Sequence, residues 1–303
     1  MKKRKAFKII GNIITVICLG FIVYSLATFD IDYSILLNTK VLAVVLVSAV
    51  LMSTPVLINA VSYRMLLQLV GGQDIAFNEV RDLYASANIA KYLPGNVMHY
   101  ASRNIIGTRY GISNKKVLAS TVLEVGLKII TAVVLIMVLA FDYLKTVIAQ
   151  GYNRYLVWAI AVTTFFIIGL LIFIYIKFKE DIKPKKFLSN VLAIFLLDSA
   201  VYLINILCFA LFAWVVVQDF SLVWHNFFII SGIHLTAWLV GYLTPGAPGG
   251  IGVKEAVMVF LMGGLMVKSD ILLVTVLLRI ASILGDSLAF GINKLFLKQA
   301  QEN

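Results

Sequence analysis

The stretch ILLVTVLLRIASILGDSLAFGINKLF, residues 271–296, decides the fold class, because it is long and apolar enough to cross a membrane. A transmembrane helix needs about 20 predominantly apolar residues. Arg279 lies in the middle of this stretch, and Glu124 and Lys128 lie inside a similar one, from Val117 to Ala140. Charged side chains are costly at bilayer depth and rarely persist there without a partner or a polar pathway. The sequence therefore predicts a multi-pass membrane protein with a polar interior.

Composition agrees with a membrane protein and argues against a water-soluble domain of this size. Hydrophobic residues make up 61% of the chain and charged residues 14%, against about 45–50% and about 25% in soluble domains. The mean hydropathy is +0.96. No Ser/Gly-rich or low-complexity stretch interrupts the chain. We therefore expect a single all-α membrane domain over residues 1–303, with no soluble catalytic domain.

Hydropathy predicts about eight transmembrane helices, the seventh of which is short and interrupted by glycine. With the N-terminus inside, cytoplasmic segments hold 20 of the 26 Lys and Arg residues when Lys254, at the cytoplasmic end of the seventh span, is counted with them; external segments hold four and the remaining spans two. By the positive-inside rule, this predicts a bacterial-type cytoplasmic (inner) membrane protein with both termini in the cytoplasm. The net charge of +11 is then mostly juxtamembrane and does not indicate nucleic-acid binding. The predicted spans are Ile9–Thr28, Val41–Ser62, Val117–Ala140, Tyr155–Ile176, Leu188–Val216, Val223–Leu243, Ile251–Val267 and Ile271–Asn293.

Two Pro-Gly pairs, Pro94-Gly95 and Pro245-Gly246, interrupt otherwise apolar stretches. Proline cannot continue a helix and glycine tolerates unusual backbone angles. We therefore predict two re-entrant or broken helices, which must be buried in protein or line a wet cavity. An internal duplication would explain the similarity of the two segments, and such paired breaks mark the binding site of many transporters. Coincidence of two common turn pairs explains it equally well.

The second segment continues as Pro-Gly-Gly-Ile-Gly over residues 248–252 and then opens an apolar helix. Free backbone N–H groups and the positive end of the helix dipole would point at the break. Gly249, Gly250 and Gly252 are therefore a candidate anion cradle. In a membrane, the phosphate of a lipid is the obvious anion.

A charged residue follows each break, and the next apolar stretch carries the opposite charge. Arg103 precedes Glu124, and Glu255 precedes Arg279. Because a guanidinium binds phosphate through two parallel hydrogen bonds, we predict Arg103 and Arg279 at a lipid phosphate. Glu124, paired with Arg103 or with Arg279, and Glu255 would be the partners that these arginines exchange for it. Glu124 also faces Lys128 at i+4, and a purely structural pair between these two explains their spacing equally well.

Further polar residues inside the predicted spans favour a shared internal cavity. Asp286 lies on the same helix face as the arginine seven residues before it. Asp198, Tyr202 and Asn205 form a polar stripe on another span, and hydrogen bonds between helices would explain one such stripe. Charges in several spans exceed what packing needs. His99, beside the first break, is explained more simply by a backbone hydrogen bond than by proton coupling.

No metal or cofactor site is predicted. Cys18 and Cys208 fall inside predicted spans, and the sequence has no H-x-x-x-H, C-x-x-C or Asp-rich motif. It also has no nucleophile or metal constellation of the kind that lipid chemistry needs. A membrane-embedded transferase or phosphatase is therefore the least favoured hypothesis, and we expect a protein that is not an enzyme.

Two motifs, taken together and in this order, resemble the lysylphosphatidylglycerol synthase transmembrane region family, a flippase-like membrane domain. The first is KYLPGNV at residues 91–97, with His99 and Arg103, and the second is TPGAPGGIG at residues 244–252, with Glu255. The resemblance covers essentially the whole chain. It extends to the N-terminal domain of the multiple peptide resistance proteins, in which a similar domain translocates aminoacylated phosphatidylglycerol made by a separate catalytic domain.

The resemblance implies a lipid-handling protein that binds and translocates an anionic phospholipid or a polyprenyl-phosphate-linked lipid. Other similar proteins are linked to glycosyltransferases of cell-envelope synthesis. The alternative is therefore a non-transporting accessory subunit of a membrane glycosyltransferase or of a cell-envelope glycolipid pathway. The implied partners are membrane lipids and such a glycosyltransferase or another envelope enzyme, whereas neither the lipid nor the oligomeric state follows from the sequence.

Overall fold

The fold is all-α in a computed structural model that describes residues 33–71, 75–92, 98–141, 184–244 and 247–302, with scattered positions in 20–29 and 169–176. These residues contain nine α-helices and no strand, which confirms the predicted class. Short 3₁₀ helices occur at Tyr33–Leu37, Ile89–Tyr92 and Pro248–Gly250. The α-helices are α1 (Thr39–Gly71), α2 (Phe77–Asn88), α3 (Met98–Arg109), α4 (Asn114–Leu139), α5 (Pro184–Val217), α6 (Phe220–His225), α7 (Phe227–Leu243), α8 (Val253–Met262) and α9 (Lys268–Glu302).

Four of the described helices, α1, α4, α5 and α9, are long and apolar enough to cross a bilayer. The shorter apolar helix α7 has 17 residues, or about 26 Å at about 1.5 Å per residue. That length approaches the hydrocarbon thickness of about 30 Å. A polytopic membrane protein is therefore confirmed. The predicted spans Ile9–Thr28 and Tyr155–Ile176 lie almost entirely outside the described residues.

Among the helix boundaries that differ from the prediction, two have a clear structural cause. Helix α1 continues past Ser62 to Gly71, because apolar side chains in its last turns, such as Leu66 and Leu67, are buried. Arg64 is accommodated there, since its Nε donates to a backbone oxygen at 2.9 Å. Helix α7 begins at Phe227 rather than at the predicted Val223, because the residues before it form the separate helix α6.

The predicted seventh span, Ile251–Val267, is wrong as a full crossing. Its helix, α8, has ten residues and is therefore only about 15 Å long. Glycines on both sides of α8 end the helix. Met258 and Met262 are fully buried in an apolar core with side chains of α5, α7 and α9, so this short helix lies inside the bundle.

Helix α1 contains a proline, Pro55, without ending there. Proline has no N–H group, so the carbonyl of the residue four positions earlier loses its usual donor. The hydroxyl of Thr54 donates to that carbonyl, on Leu51, at 2.7 Å. This local hydrogen bond compensates for the missing one.

Helix α9 packs most extensively against α1. The two backbones approach closely at Gly285, where a Cβ atom would lie 2.7 Å from the carbonyl oxygen of Ala49 and 3.0 Å from the Cβ of Met52. Small residues at such crossings allow membrane helices to pack tightly. The position of α9, which carries two of the predicted site residues, therefore depends on this glycine.

The same order of elements follows both Pro-Gly segments. The short helix α3 leads to the long helix α4, and the short helix α8 leads to the long helix α9. This matching order is what an internal duplication predicts. The residues Pro94, Gly95, Pro245 and Gly246 themselves lie outside the described residues.

Candidate functional site

A cavity of about 250 Å³, here called the polar cavity, lies inside the helical bundle. Its walls come from α1, α2, α3, α4, α5, α7, α8 and α9, and from the 3₁₀ turn between α7 and α8. Two predicted site residues, Gly252 and Glu255, do not line it. The predicted site residues that line the cavity are His99, Arg103, Glu124, Lys128, Asp198, Tyr202, Asn205, Gly249, Gly250, Arg279 and Asp286.

Glu124 is the centre of a buried charge cluster on α4. Its carboxylate is 2% exposed and accepts hydrogen bonds from Arg103, from Lys128 at 2.6 Å and from the hydroxyl of Tyr84 at 2.7 Å. Of the pairings that the sequence left open for Glu124, those with Arg103 and with Lys128 are therefore present together, whereas Arg279 pairs with Glu255. One carboxylate shared by two cations leaves this cluster with a net positive charge.

Arg103 is enclosed by aromatic rings as well as paired. Its guanidinium carbon lies 4.3 Å from the ring centroid of Tyr84, 4.8 Å from that of Tyr63 and 5.4 Å from that of Tyr100. Cations are attracted to the faces of aromatic rings at such distances. With 2% of the residue exposed, Arg103 can reach an incoming anion only if this arrangement changes.

A second ion pair joins α8 to α9. Arg279 donates from its Nε at 2.9 Å to Oε1 of Glu255, and its second terminal nitrogen lies 2.8 Å from the same oxygen. The other carboxylate oxygen of Glu255 accepts the N–H of Gly252 at 2.7 Å. Glu255 is fully buried, whereas the side chain of Arg279 is 19% exposed. Arg279 is therefore more open to the cavity than Arg103.

The glycine turn before α8 differs from the predicted anion cradle, because two of its three N–H groups already have partners. Gly249, Gly250 and Gly252 all have positive φ angles, of 56°, 71° and 80°, which favour glycine. Gly249 and Gly250 line the polar cavity, but Gly252 does not, because its N–H is used by Glu255. The N–H of Gly250 also has a partner, the carbonyl oxygen of Ala247 at 2.9 Å. The turn therefore brings its backbone to the cavity without presenting a full set of free donors.

Asp286 pairs with residues far away in the sequence rather than with the arginine on its own helix. Its carboxylate lies 2.6 Å from Nζ of Lys91 and accepts hydrogen bonds from Asn88 at 2.8 Å and from Tyr92. These partners lie at the end of α2 and in the 3₁₀ turn after it. Asp286 therefore anchors the approach to the first break.

The predicted polar stripe on α5 faces the cavity, and its members differ in their bonding. Tyr202 donates to the carbonyl oxygen of Lys128 at 2.8 Å, and Asn205 donates to a backbone oxygen of its own helix at 2.9 Å. Asp198 is 2% exposed and makes no hydrogen bond to any residue that the structure describes. Its Oδ2 atom is buried without a partner.

His99 lies at the start of α3 with its ring centroid 3.7 Å from that of Tyr100. Its Nδ1 atom is buried and has no partner among the described residues, so the simple backbone hydrogen bond expected from the sequence is not seen there. Burial, together with the nearby positive charge of Arg103, lowers the pKa of His99 to about 3. The imidazole is therefore neutral at pH 7.

Lys254 lines the cavity, although the sequence predicted only that it lies on the cytoplasmic side of the membrane. It lies in the first turn of α8 and lines the cavity near the glycine turn and Arg279. The cause is a close approach of helix α7: a Cβ atom on Gly241 would lie 3.3 Å from the backbone of Gly250 and 3.6 Å from Cβ of Lys254. The only sequence signal was its position directly after the glycine cluster.

The charges that line the cavity do not balance. Lys91, Arg103, Lys128 and Arg279 each contact a carboxylate. Lys254 makes no ion pair or hydrogen bond with any residue in the described ranges. A cation without a carboxylate partner, inside a membrane protein, is a candidate ligand-binding group.

The chain belongs to the lysylphosphatidylglycerol synthase transmembrane region family, because the model of that family matches residues 9–289. The match includes α1 to α8 and most of α9, and it confirms the resemblance carried by the two Pro-Gly motifs. A comparison with curated proteins found no match to this chain.

Proposed function

We propose that this protein binds a membrane lipid with an anionic phosphate head group in the polar cavity and moves that head group across or within the bilayer. The observation that carries this proposal is the unbalanced positive charge of the cavity, centred on Lys254. The cavity walls include four helices that can cross a bilayer. This setting, together with the family, favours a lipid phosphate over a soluble anion.

The groups suited to a phosphate lie at one side of the cavity. Arg279 uses Nε and one terminal nitrogen for Glu255, and its other terminal nitrogen lies about 3.9 Å from where a Cβ atom of Gly249 would be. Lys254 lines the same region. Charge-assisted hydrogen bonds to phosphate are about twice as strong as neutral ones. Arg279 supplies a directional donor and Lys254 a mobile positive charge.

The roles proposed for the other charged residues follow from their exposure. Arg103 is enclosed, so it reaches the phosphate only when Glu124 releases it. Glu255 holds Arg279 through one oxygen only, so a phosphate can share Arg279 without breaking a buried pair. Glu124 is thus the exchanging partner in this proposal, Glu255 keeps its pair with Arg279, and the lipid contacts Arg279 before Arg103.

The site is tested by native mass spectrometry of the purified protein with added phosphatidylglycerol or phosphatidylethanolamine. The variants are Lys254→Gln and Arg279→Gln, and the matched control is Lys115→Gln, which removes an exposed cation outside the cavity. A charge-assisted hydrogen bond contributes about 1.5–3 kcal/mol. Its loss should weaken binding of phosphatidylglycerol by roughly tenfold or more. Binding of phosphatidylethanolamine, whose ammonium group offsets the charge of its phosphate, should weaken by less.

Lys254→Gln is the cleaner of the two variants, because Lys254 leaves no described carboxylate unpaired when its charge is removed. Retention of phosphatidylglycerol at wild-type levels by a folded Lys254→Gln protein would contradict the proposed site. Equal loss in Lys115→Gln would show a general surface attraction instead. Either result would favour the accessory-subunit alternative, for which the cavity charges are dispensable.

A further inference from the structure

We infer that Asp198 is a proton-binding site, which takes up and releases a proton while the protein works. The site lies in the wall of the polar cavity and is distinct from the proposed phosphate contacts. It goes beyond the proposed function, because its occupation by a proton does not require a lipid.

The first argument is the isolation of the Asp198 carboxyl group. Every other carboxyl group that lines the polar cavity accepts at least two hydrogen bonds or ion pairs from described residues. Asp198 accepts none, although it is 2% exposed and one of its oxygens is fully buried. An ionised carboxylate in such a place carries a large desolvation cost. Protonation of one carboxylate oxygen removes the negative charge and therefore removes this desolvation cost.

The second argument is that the charge cluster around Glu124 on α4 stabilises the ionised form of Asp198. Arg103, Lys128 and Glu124 together carry a net positive charge, which favours a second carboxylate nearby. Lys128 donates two hydrogen bonds, at 3.0 Å to the hydroxyl of Tyr84 and at 2.6 Å to Glu124. An ammonium group has three donors, so one remains for Asp198. Burial and the cluster act in opposite directions, which makes both protonation states accessible.

Apart from Lys254 on α8, which is unpaired among the described residues and lies beside the glycine turn, the other groups that line the cavity are neutral or paired elsewhere. Tyr202, on the same helix as Asp198, and Tyr242 on α7 are neutral phenols. Arg279 and Asp286 on α9 are each paired elsewhere, with Glu255 and Lys91. The described α1 residues that line the cavity are uncharged. The protonation state of Asp198 therefore determines whether Lys128 interacts with one carboxylate, that of Glu124, or with two.

The test is an infrared difference titration of the purified, lipid-depleted protein, which follows the carbonyl stretch of protonated carboxylic acids as the pH is raised. Above about pH 5, where exposed carboxyl groups are already ionised, wild-type protein should lose one such band, and Asp198→Asn should lack it. Asp198→Glu should restore a titrating band at a shifted position, which separates a proton site from a misfolded variant. Asp286→Asn is the matched control, since Asp286 is buried but fully paired, and it should leave the band in place.

The inference is overturned if wild-type protein shows no titrating carboxylic acid band, or if Asp198→Asn retains it unchanged. No lipid is present in this titration. A failure here therefore leaves the proposed phosphate site standing, and a failure of the lipid-binding test leaves the proton site standing.

Discussion

Replacing Glu124 by glutamine tests whether the buried cluster on α4 stabilises the fold. The change keeps the size of the side chain and removes the charge that Arg103 and Lys128 share. Removing one partner of a buried pair costs about 3–5 kcal/mol, because an uncompensated charge is left in the interior. At about 2–4 °C per kcal/mol for a protein of this order of size, the midpoint of thermal unfolding should fall by roughly 6–20 °C.

The assay is thermal unfolding of the detergent-solubilised protein, followed by tryptophan fluorescence. Glu79→Gln is the control, because Glu79 forms no described ion pair and acts only near a helix start, where its loss should cost less than about 1 kcal/mol. The double variant Glu124→Gln with Lys128→Met should recover part of the loss, since one uncompensated cation is then removed. A fall in Glu124→Gln no larger than in the control, or strict additivity in the double variant, would refute this reasoning.

Three further predictions, for Gly285, Gly250 and Asp82, are tested by the same unfolding assay. Gly285→Ala should be less stable by about 1–3 kcal/mol, since its methyl would lie 2.7 Å from a backbone oxygen of α1. Gly291→Ala on the same helix meets nothing within 4 Å and should not destabilise; equal losses would contradict the close crossing. Gly250→Ala should destabilise because φ is +71° and the backbone of α7 is 3.0 Å away; a neutral effect would contradict that geometry. Burial alone would raise the pKa of Asp82, but hydrogen bonds, chiefly from Tyr110, lower it overall. The resulting stability is present above about pH 4 and is lost as the pH falls through the lower folded pKa. Wild-type protein should therefore lose more stability over that range than Asp82→Asn, in which only the other carboxyl groups titrate, whereas equal loss in both would exclude a contribution from Asp82.

The class of the fold and the positions of its long helices could be predicted because they depend on local hydropathy. Arg279 and Glu124 could be singled out for the same reason, since a charge in an apolar stretch is visible in the sequence alone. The short length of helix α8 was harder to predict, because its apolar side chains resemble those of a transmembrane helix. Its length is limited by glycines on either side, and its burial comes from α5, α7 and α9.

The partners within the site could be predicted only where spacing fixes them. Glu124 and Lys128 are four residues apart on one helix, so their contact follows from helix geometry. The pairing of Asp286 with Lys91 depends on how α9 packs against the end of α2. Lys254 lines the cavity because two glycines allow α7 to approach the turn before it. Such close approaches arise from tertiary packing, which a single sequence does not reveal.

The proposed function is tested most directly by lipid translocation in reconstituted liposomes. A fluorescent phosphatidylglycerol is placed in both leaflets, and a quencher that cannot cross the membrane is added outside. Wild-type protein and the control Lys115→Gln should expose inner-leaflet label faster than protein-free liposomes, and Lys254→Gln should be much slower. Wild-type protein that is no faster than protein-free liposomes would contradict translocation, and a fully active Lys254→Gln variant would contradict the role of the polar cavity.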